Sequence, residues 1–512
     1  MRLVGSAEMR EIDRIATHEM GVPALALMIR AGRAVADAAM AMAAPEGRIL
    51  VVCGAGNNGG DGFAVARILR SAGRDVRVVA LSPPEGMSPV AGVMRHEANE
   101  VDVPIADATA VPAMGAEPGD VVVDAVFGIG MTRAPEGVSA AAISRINELR
   151  ERGARVLAVD VPSGLSADTG HPFGVAVRAD RTVTFAFPKK GLHVYPGAEL
   201  AGEVVLVDIG IPAAAAARVP VTAEVLTEAE ARALVPARGF QAHKGDAGRV
   251  MVVAGSPGRT GAAHLAVTGA LRGGAGLVTL AARAETLQLA LSGRPEAMSL
   301  ALPGQGPLGR ADLPALAALA RDADVIVIGP GIPRGPETGP MIRDLLERAQ
   351  LPAILDADAL NALAEHPGLV ASVARWSPVV MTPHPGEMAR LLGTGVEEIQ
   401  ADRLEVAQRK SREWGAVVIL KGAHTIVADP DSVPAVIVTG NPGMATGGTG
   451  DVLAGLLGAM VASRVPLRDA ARAAVWIHGR AGDLAARRHG QRGLLAGDLA
   501  ESLGEAWAEW GR

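Results

Sequence analysis

Short apolar runs alternate with helix-patterned stretches along the whole chain, and that alternation leaves few folds open. Arg48–Cys53, Asp75–Leu81, Asp120–Val126, Ala154–Val161 and Gly202–Ile209 form one series. Gly248–Ala254, Leu277–Ala281, Asp324–Ile328, Ala353–Leu355, Val379–Met381, Ala416–Leu420, His424–Val427 and Ala435–Val438 form a second. Continuous apolar strands separated by helices belong to parallel sheets covered on both faces. A helical segment over about Ala7 to Ala43 precedes the first series. Phe63–Ser71 and Leu226–Leu234 read as helices, and the chain from Asp451 onward is mostly helical. The alanine run Ala213–Arg218, with Pro212 and Pro220 around it, reads as a linker. It separates a domain over 1–215 from one over 225–512. The two halves share no glycine pattern, so the spacing predicts a fusion, not a duplication.

With 512 residues and 49% hydrophobic composition, two large cores are easily filled. A net charge of −6 gives no footprint for nucleic acid. The single cysteine, Cys53, excludes a disulfide framework and a thiolate cluster, and favours a reducing cytoplasm. Met1–Glu8 lacks the apolar run of a signal peptide. Val22–Ala44 is broken by Arg30, Arg33 and Asp37, so no membrane span is expected. Of 49 basic residues only five are lysine: Lys189, Lys190, Lys244, Lys410 and Lys421. A lysine kept under such a bias hints at a need for a compact ammonium.

After the first strand comes Gly54-Ala55-Gly56-Asn57-Asn58-Gly59-Gly60-Asp61-Gly62. A glycine-rich strand-to-helix turn admits a ligand to the backbone. The next strand ends Val78-Val79-Ala80-Leu81, without the acid that would hold a ribose, which disfavours a redox nicotinamide site. Two further strands end in carboxylates, Asp124 and Asp160. In an open parallel sheet both face the same crevice as the asparagine loop. Oxygen donors from Asn58, Asp124 and Ser163 would suit a hard cation. Either aspartate alone would equally serve as a turn cap. Cys53 has no nearby histidine to activate it and reads as a small buried hydrophobe.

Gly56–Gly62, Asp124-Ala125-Val126-Phe127-Gly128 and Asp160-Val161-Pro162-Ser163-Gly164 resemble the NAD(P)H-hydrate epimerase domain. The resemblance implies that Asn57, Asn58, Gly59, Gly60 and Asp61 contact the hydrated dinucleotide. It implies the same for Gly128, Ile129, Gly130, Met131, Thr132, Arg133, Ala134 and Asp160. It further implies a potassium ion on Asn58, Asp124 and Ser163, with Asp160 as acid/base catalyst.

In the second half, Gly447-Gly448-Thr449-Gly450-Asp451 leads into an apolar helix. Glycines let several N–H groups converge on one oxyanion, and the helix start adds favourable potential. An aspartate there repels a phosphate but suits a base for an attacking hydroxyl. An N-cap is the plainer alternative. Lys421 ends one strand; His384 sits between prolines at the mouth of another; Gly329-Pro330-Gly331 follows a third. Asp356 and Asp358 are candidates to assist a metal, although Asp358 would equally cap the helix from Ala359.

These segments, with His243–Asp246, Thr260–Ala263, Thr382–Glu387 and Lys421–Thr425, resemble the ribokinase-like NAD(P)H-hydrate dehydratase family. The resemblance implies that Ala262, Gly331, His384 and Asp451 contact the hydrate. It implies that Lys421, Gly422, Ala423, His424, Thr425 and Gly450 bind the nucleotide. The expected fold is α/β throughout: an N-terminal Rossmann-like three-layer domain and a C-terminal ribokinase-like three-layer domain. The expected activity is repair of the hydrates NADHX and NADPHX by epimerisation and by dehydration of the S form. ADP is the implied co-substrate, Asp451 the implied base, and Mg2+ is expected at the dehydratase site. No nucleic-acid or membrane partner is expected, and a homo-oligomer is. A kinase of a stable alcohol, with the first domain as a binding or scaffolding module, is the alternative.

Overall fold

A computed structural model describes residues 1–512. The chain divides into two compact units, Arg2–Ala223 and Glu224–Arg512, with Met1 grouped with the second.

The first unit is built on a seven-stranded sheet. In chain order its strands are β1 (Ile49–Cys53), β2 (Val76–Ala80), β3 (Ile105–Ala106), β4 (Val121–Ala125), β5 (Arg155–Val159), β6 (Arg181–Phe185) and β7 (Glu203–Val207). They lie in the order β3-β2-β1-β4-β5-β6-β7, all parallel. Strand residues point alternately to opposite faces, and here both faces are buried. Val51, Cys53, Val123 and Leu157 pack with helices Ala24–Met42 and Asn57–Ser71. Val52, Val122, Val156 and Ala158 pack with helix Gly137–Glu151 on the other side. This double burial is why the strands read as unbroken apolar runs.

The second unit carries β8 (Ala223–Val225), β9 (Arg249–Val253), β10 (Leu277–Arg283), β11 (Met298–Leu302), β12 (Val325–Ile328), β13 (Ala353–Leu355), β14 (Val379–Met381), β15 (Val417–Leu420), β16 (Thr425–Ala428) and β17 (Ala435–Ile437). The spatial order is β8-β17-β16-β15-β14-β13-β12-β9-β10-β11. Only the β15–β16 and β16–β17 pairings are antiparallel. One face is covered by helices Thr260–Arg272, Thr449–Ala462, Leu467–His489 and Ala496–Glu509. Helices Thr449–Ala462 and Thr260–Arg272 cross backbone to backbone. A Cβ on Gly455 would lie 1.9 Å from the Ala266 carbonyl oxygen, and one on Gly269 would lie 2.3 Å from that of Val452.

Several sequence expectations shift. The segment over about Ala7 to Ala43 is two helices, Ser6–Arg14 and Ala24–Met42, joined by a π-helical turn over Ile15–Glu19. Gly21, at φ +72°, and Pro23 interrupt it. The alanine run is a short helix, Ala213–Ala217, inside the first unit, not a linker. Alanine is the best helix former, and Ala215 and Ala216 are buried.

Candidate functional sites

In the first unit the helix after β1 starts at Asn57, not at Phe63. The paired asparagines therefore stand on its first turn. Gly59 and Gly60 do not line the cavity at this site. A Cβ on Gly59 would meet the Gly54 carbonyl at 1.9 Å, and one on Gly60 would meet Met28 at 2.7 Å. Their smallness packs the helix start onto the fold. The cavity, about 800 Å³, is lined by Asn57, Asn58, Asp61, the whole 128–134 loop and Asp160. Lys189, Arg10 and Asp13 also reach it.

Asp160 follows β5 at φ +64°, uncommon for a residue with a Cβ. The Val161 N–H donates to the Val159 carbonyl at 2.8 Å, closing a γ-turn around it. A second such turn surrounds Ala186, at φ +61°, where the Phe187 N–H donates to Phe185 at 2.7 Å. These turns bring Asp160 and the buried Lys189 together. The Lys189 ammonium donates to Asp160 Oδ1 at 2.5 Å, to Thr184 Oγ1 at 3.0 Å and to the Phe185 carbonyl at 2.9 Å. Strain held at two adjacent strand ends is typical of working sites. Lys189 carried one sequence signal, its survival as lysine in an arginine-rich chain, but its partner was not legible. Burial pushes Asp61 well above the ordinary carboxylate range, and Asp160 and Asp13 push it further.

Asp124 and Ser163 lie beneath the cavity, fully buried. Ser163 Oγ donates to Asp124 Oδ1 at 2.5 Å and its N–H donates to Oδ2 at 2.7 Å. The Phe127 N–H donates to Ser163 Oγ at 2.8 Å, and Asn58 Nδ2 donates to the Phe127 carbonyl at 2.8 Å. Burial raises Asp124 to about 6, with the Ser163 bonds only partly offsetting it. A buried carboxylate beside hydroxyl and carbonyl oxygens, with no ammonium or guanidinium on it, fits a hard cation. Cys53 is fully buried, and burial holds its thiol protonated.

In the second unit the chemistry gathers at the carboxyl ends of β9, β12, β13, β14 and β15. A Cβ on Gly331 would touch that of Ala262 at 3.0 Å, so these two positions share one wall. Asp356, buried after β13, accepts from Thr382 Oγ1 at 2.6 Å and from the Lys421 ammonium at 2.7 Å. Glu387 Oε2 lies 3.8 Å from the same ammonium. Burial alone would lower Lys421, but Asp356 and Glu387 outweigh it and raise it. Asp358 is the first residue of helix Asp358–Ala364 and makes no cap. Arg259 and Arg334 occupy it at 2.8 and 2.9 Å, which leaves it a poor metal ligand. His384 caps helix Pro385–Leu392, its Nδ1 accepting from the N–H of Gly386 at 3.0 Å and of Glu387 at 3.4 Å. Its Nε2 lies 3.5 Å from Glu387 Oε1.

The glycine loop opens helix Thr449–Ala462, with Asp451 in its first turn. A Cβ on Gly450 would lie 3.3 Å from the Lys421 ammonium, so the loop and Lys421 face each other. Burial, then Asp356, raises Asp451 to about 7, while Lys421 pulls it down. Two residues that sequence reasoning missed hold this arrangement. Buried Arg403 donates to the carbonyls of Ala423, Leu420 and Lys421 at 2.7, 3.2 and 3.3 Å, fixing the 421–425 turn. His478 Nε2 lies 2.8 Å from the Thr449 carbonyl, and burial lowers it to about 4, so it stays neutral. His424 takes φ +51°, and Thr425 Oγ1 donates to the Gly422 carbonyl at 2.9 Å.

Comparison with known proteins covers both units. A family model described as NAD(P)H-hydrate dehydratase matches residues 250–504, and one described as YjeF-related protein N-terminus matches residues 24–191. The bifunctional NAD(P)H-hydrate repair enzyme Nnr of Moorella thermoacetica is 43% identical over 519 residues, covering 98% of this chain and 96% of that protein. Its namesake in Escherichia coli strain K12 is 37% identical over 498 residues, covering 97% and 92%. A crystal structure of the ADP/ATP-dependent NAD(P)H-hydrate dehydratase from Bacillus subtilis, co-crystallised with ATP/Mg2+, is 32% identical. It aligns with 56% of this chain and 98% of its own, at a TM-score of 0.49.

Proposed function

Since the chain belongs to the family of bifunctional NAD(P)H-hydrate repair enzymes, we propose that its two units divide the repair, and that Asp160 and Asp451 carry the two reactions. The fold classes are those expected, Rossmann-like in the first unit and ribokinase-like in the second. The observation that carries the residue assignment is the placement of each aspartate. Each stands at a strand or helix end, inside a glycine-lined recess, beside one of the chain's few lysines.

In the first unit the hydrate occupies the cavity, held by Asn57, Asp61 and the 128–134 loop. Lys189 pairs with Asp160, which takes up or returns a proton as the R and S forms interconvert. A potassium ion on Asp124, Ser163, Asn58 and the Phe127 carbonyl would supply positive charge beneath the substrate and restore Asp124 to its ionised form.

In the second unit Asp451 takes the hydroxyl proton of the S hydrate. The freed oxygen attacks the terminal phosphorus of ADP and AMP leaves. The N–H groups of Gly447–Gly450 and the Lys421 ammonium stabilise the charge on the transferring phosphoryl group. The ring-nitrogen electron pair then expels phosphate, and loss of a proton from the neighbouring carbon restores the dihydronicotinamide. Phosphorylation thus converts hydroxide, a poor leaving group, into a good one. Mg2+ would arrive on the ADP phosphates, where Asp356 and Glu387 are carboxylates that would help hold it, and would neutralise phosphoryl charge. His384 and the wall formed by Ala262 and Gly331 hold the hydrate; Lys421–Thr425 and Gly450 hold the nucleotide. No helix is long and apolar enough to cross a membrane. We place the enzyme in the cytoplasm as a homo-oligomer, a reading supported by the single buried thiol and the open edge at β11.

The test mixes full-length protein with racemic NADH hydrate and ADP and follows the absorbance of the reduced ring. Complete recovery in two phases is expected. Asp160→Asn should abolish the second phase alone. Recovery that stops at half with the unaltered chain would overturn the epimerase assignment; a stable phosphorylated product would overturn the dehydratase one.

A further inference from the structure

The epimerase cavity holds more acid than its assigned catalyst accounts for. Asp160 is matched by Lys189, but Asp13 and Asp61 line the same space. Asp13 stands in the last turn of helix Ser6–Arg14, immediately before the π-helical turn over Ile15–Glu19. Such turns recur at functional sites, because the inserted residue redirects the side chains beside it. What acts on the Asp13 carboxyl is burial, then the Lys189 ammonium and Asp160, with no hydrogen-bond donor among them.

The helix that carries Asp13 is tied to the segment that carries Lys189. The Val4 N–H donates to the Pro188 carbonyl and the Lys190 N–H donates to that of Val4, both at 3.0 Å. Glu8, on the same helix, accepts from the Lys190 ammonium at 3.0 Å. Asp13, Lys189 and Asp160 are therefore positioned as one piece of structure, with the two carboxyls reaching the cavity from different elements.

We propose that Asp13 is a second catalytic carboxyl of the epimerase site, working as the proton-transfer partner of Asp160 on the other face of the hydrated ring carbon. This rests on the epimerase reading of the first unit. Hydration of an enamine places the hydroxyl on the carbon next to the ring nitrogen. In one direction Asp13 gives its proton to that hydroxyl and the C–O bond breaks. The bonding pair leaves with oxygen as water, and the nitrogen lone pair closes a C=N bond. A solvent water then attacks the carbon from the opposite face, Asp160 takes its proton, and the electron pair returns to nitrogen. Configuration is inverted and one proton has passed from Asp13 to Asp160; the reverse reaction carries it back. Epimerisation runs both ways, so each carboxyl must serve as acid and as base. A group titrating near the working pH suits that duty. Burial and Asp160 raise Asp13 to about 6, with Lys189 opposing them. Arg10, Asp61, Arg133 and Glu136 are the other charged groups lining the cavity.

The test uses the full-length chain, racemic NADH hydrate and ADP, with the second phase measured between pH 5 and 8. For Asp13→Asn we expect kcat of that phase to fall by about 100-fold or more, with KM changed by less than about 3-fold. One limb of its pH profile should vanish, and Asp13→Glu should restore part of the rate. If Asp13→Asn keeps rate and profile while Asp160→Asn abolishes the phase, the inference fails and the epimerase reading stands. If Asp13→Asn and Asp13→Glu raise KM alike and leave the pH profile intact, Asp13 is structural and the inference again fails. If both Asp13→Asn and Asp160→Asn keep the phase, the reading beneath it fails as well.

Discussion

At Asp451 the carboxyl proposed as the base is held where charge is costly. Burial raises it to about 7 and Lys421 opposes the rise. A base works when ionised, so kcat/KM of the dehydratase phase should climb as pH rises through about 7. Lys421→Met removes the opposing charge, and the limb should move to higher pH. Stability carries the opposite sign. Below the ordinary value of 3.8 both folded and unfolded chains hold the proton, so no penalty exists there. As pH rises the unfolded chain ionises first, and the penalty is complete only above about 7. Asp451→Asn should therefore raise the melting temperature at pH 8 and leave it nearly unchanged at pH 4, while it abolishes ring recovery at pH 8. Paired calorimetric scans and absorbance assays check this.

The helix Thr449–Ala462 is placed by what it lacks. Gly455 and Gly269 bring two backbones into contact where any Cβ would overlap a carbonyl oxygen. Gly455→Ala should cost roughly 1–3 kcal/mol or more. Because the helix also carries Asp451, dehydratase activity should fall while the epimerase phase persists; chemical denaturation and the two-phase assay separate these effects. Most strands were legible because double burial makes them continuous apolar runs. Two were not. In β6, Arg181–Phe185, buried Thr182 and Thr184 break the pattern, and Thr182 is satisfied only by the distant Ala201 carbonyl. In β11, Met298–Leu302, most residues are exposed at a sheet edge. The helix start at Asn57 was hidden by glycines, which lower helix propensity and are present for packing. Motifs at strand ends were legible because their chemistry is contiguous in the chain. Lys189, Asp13, Arg403 and His478 were not, since each gains its meaning from a partner brought by the fold: Asp160, the same cavity, the 420–423 carbonyls and Thr449.

Each unit has its own sheet and its own core, and each holds the groups proposed for one reaction. In the proposed division of labour the S hydrate passes free in solution between the two reactions. An equimolar mixture of Asp160→Asn and Asp451→Asn chains should therefore recover racemic hydrate completely, although neither variant does so alone. Recovery stopping at half in the mixture would mean that the hydrate must be processed on one chain. The lysine distribution has a practical consequence as well. Lys189 and Lys421 are shielded and ion-paired, Lys190 and Lys410 are paired with Glu8 and Glu413, and Lys244 is exposed. The terminal amine donates to the Val225 carbonyl and to Glu230. An amine-directed dye added in limiting amount should attach mainly at Lys244, giving the enzyme a single addressable point for surface tethering or fluorescence readout.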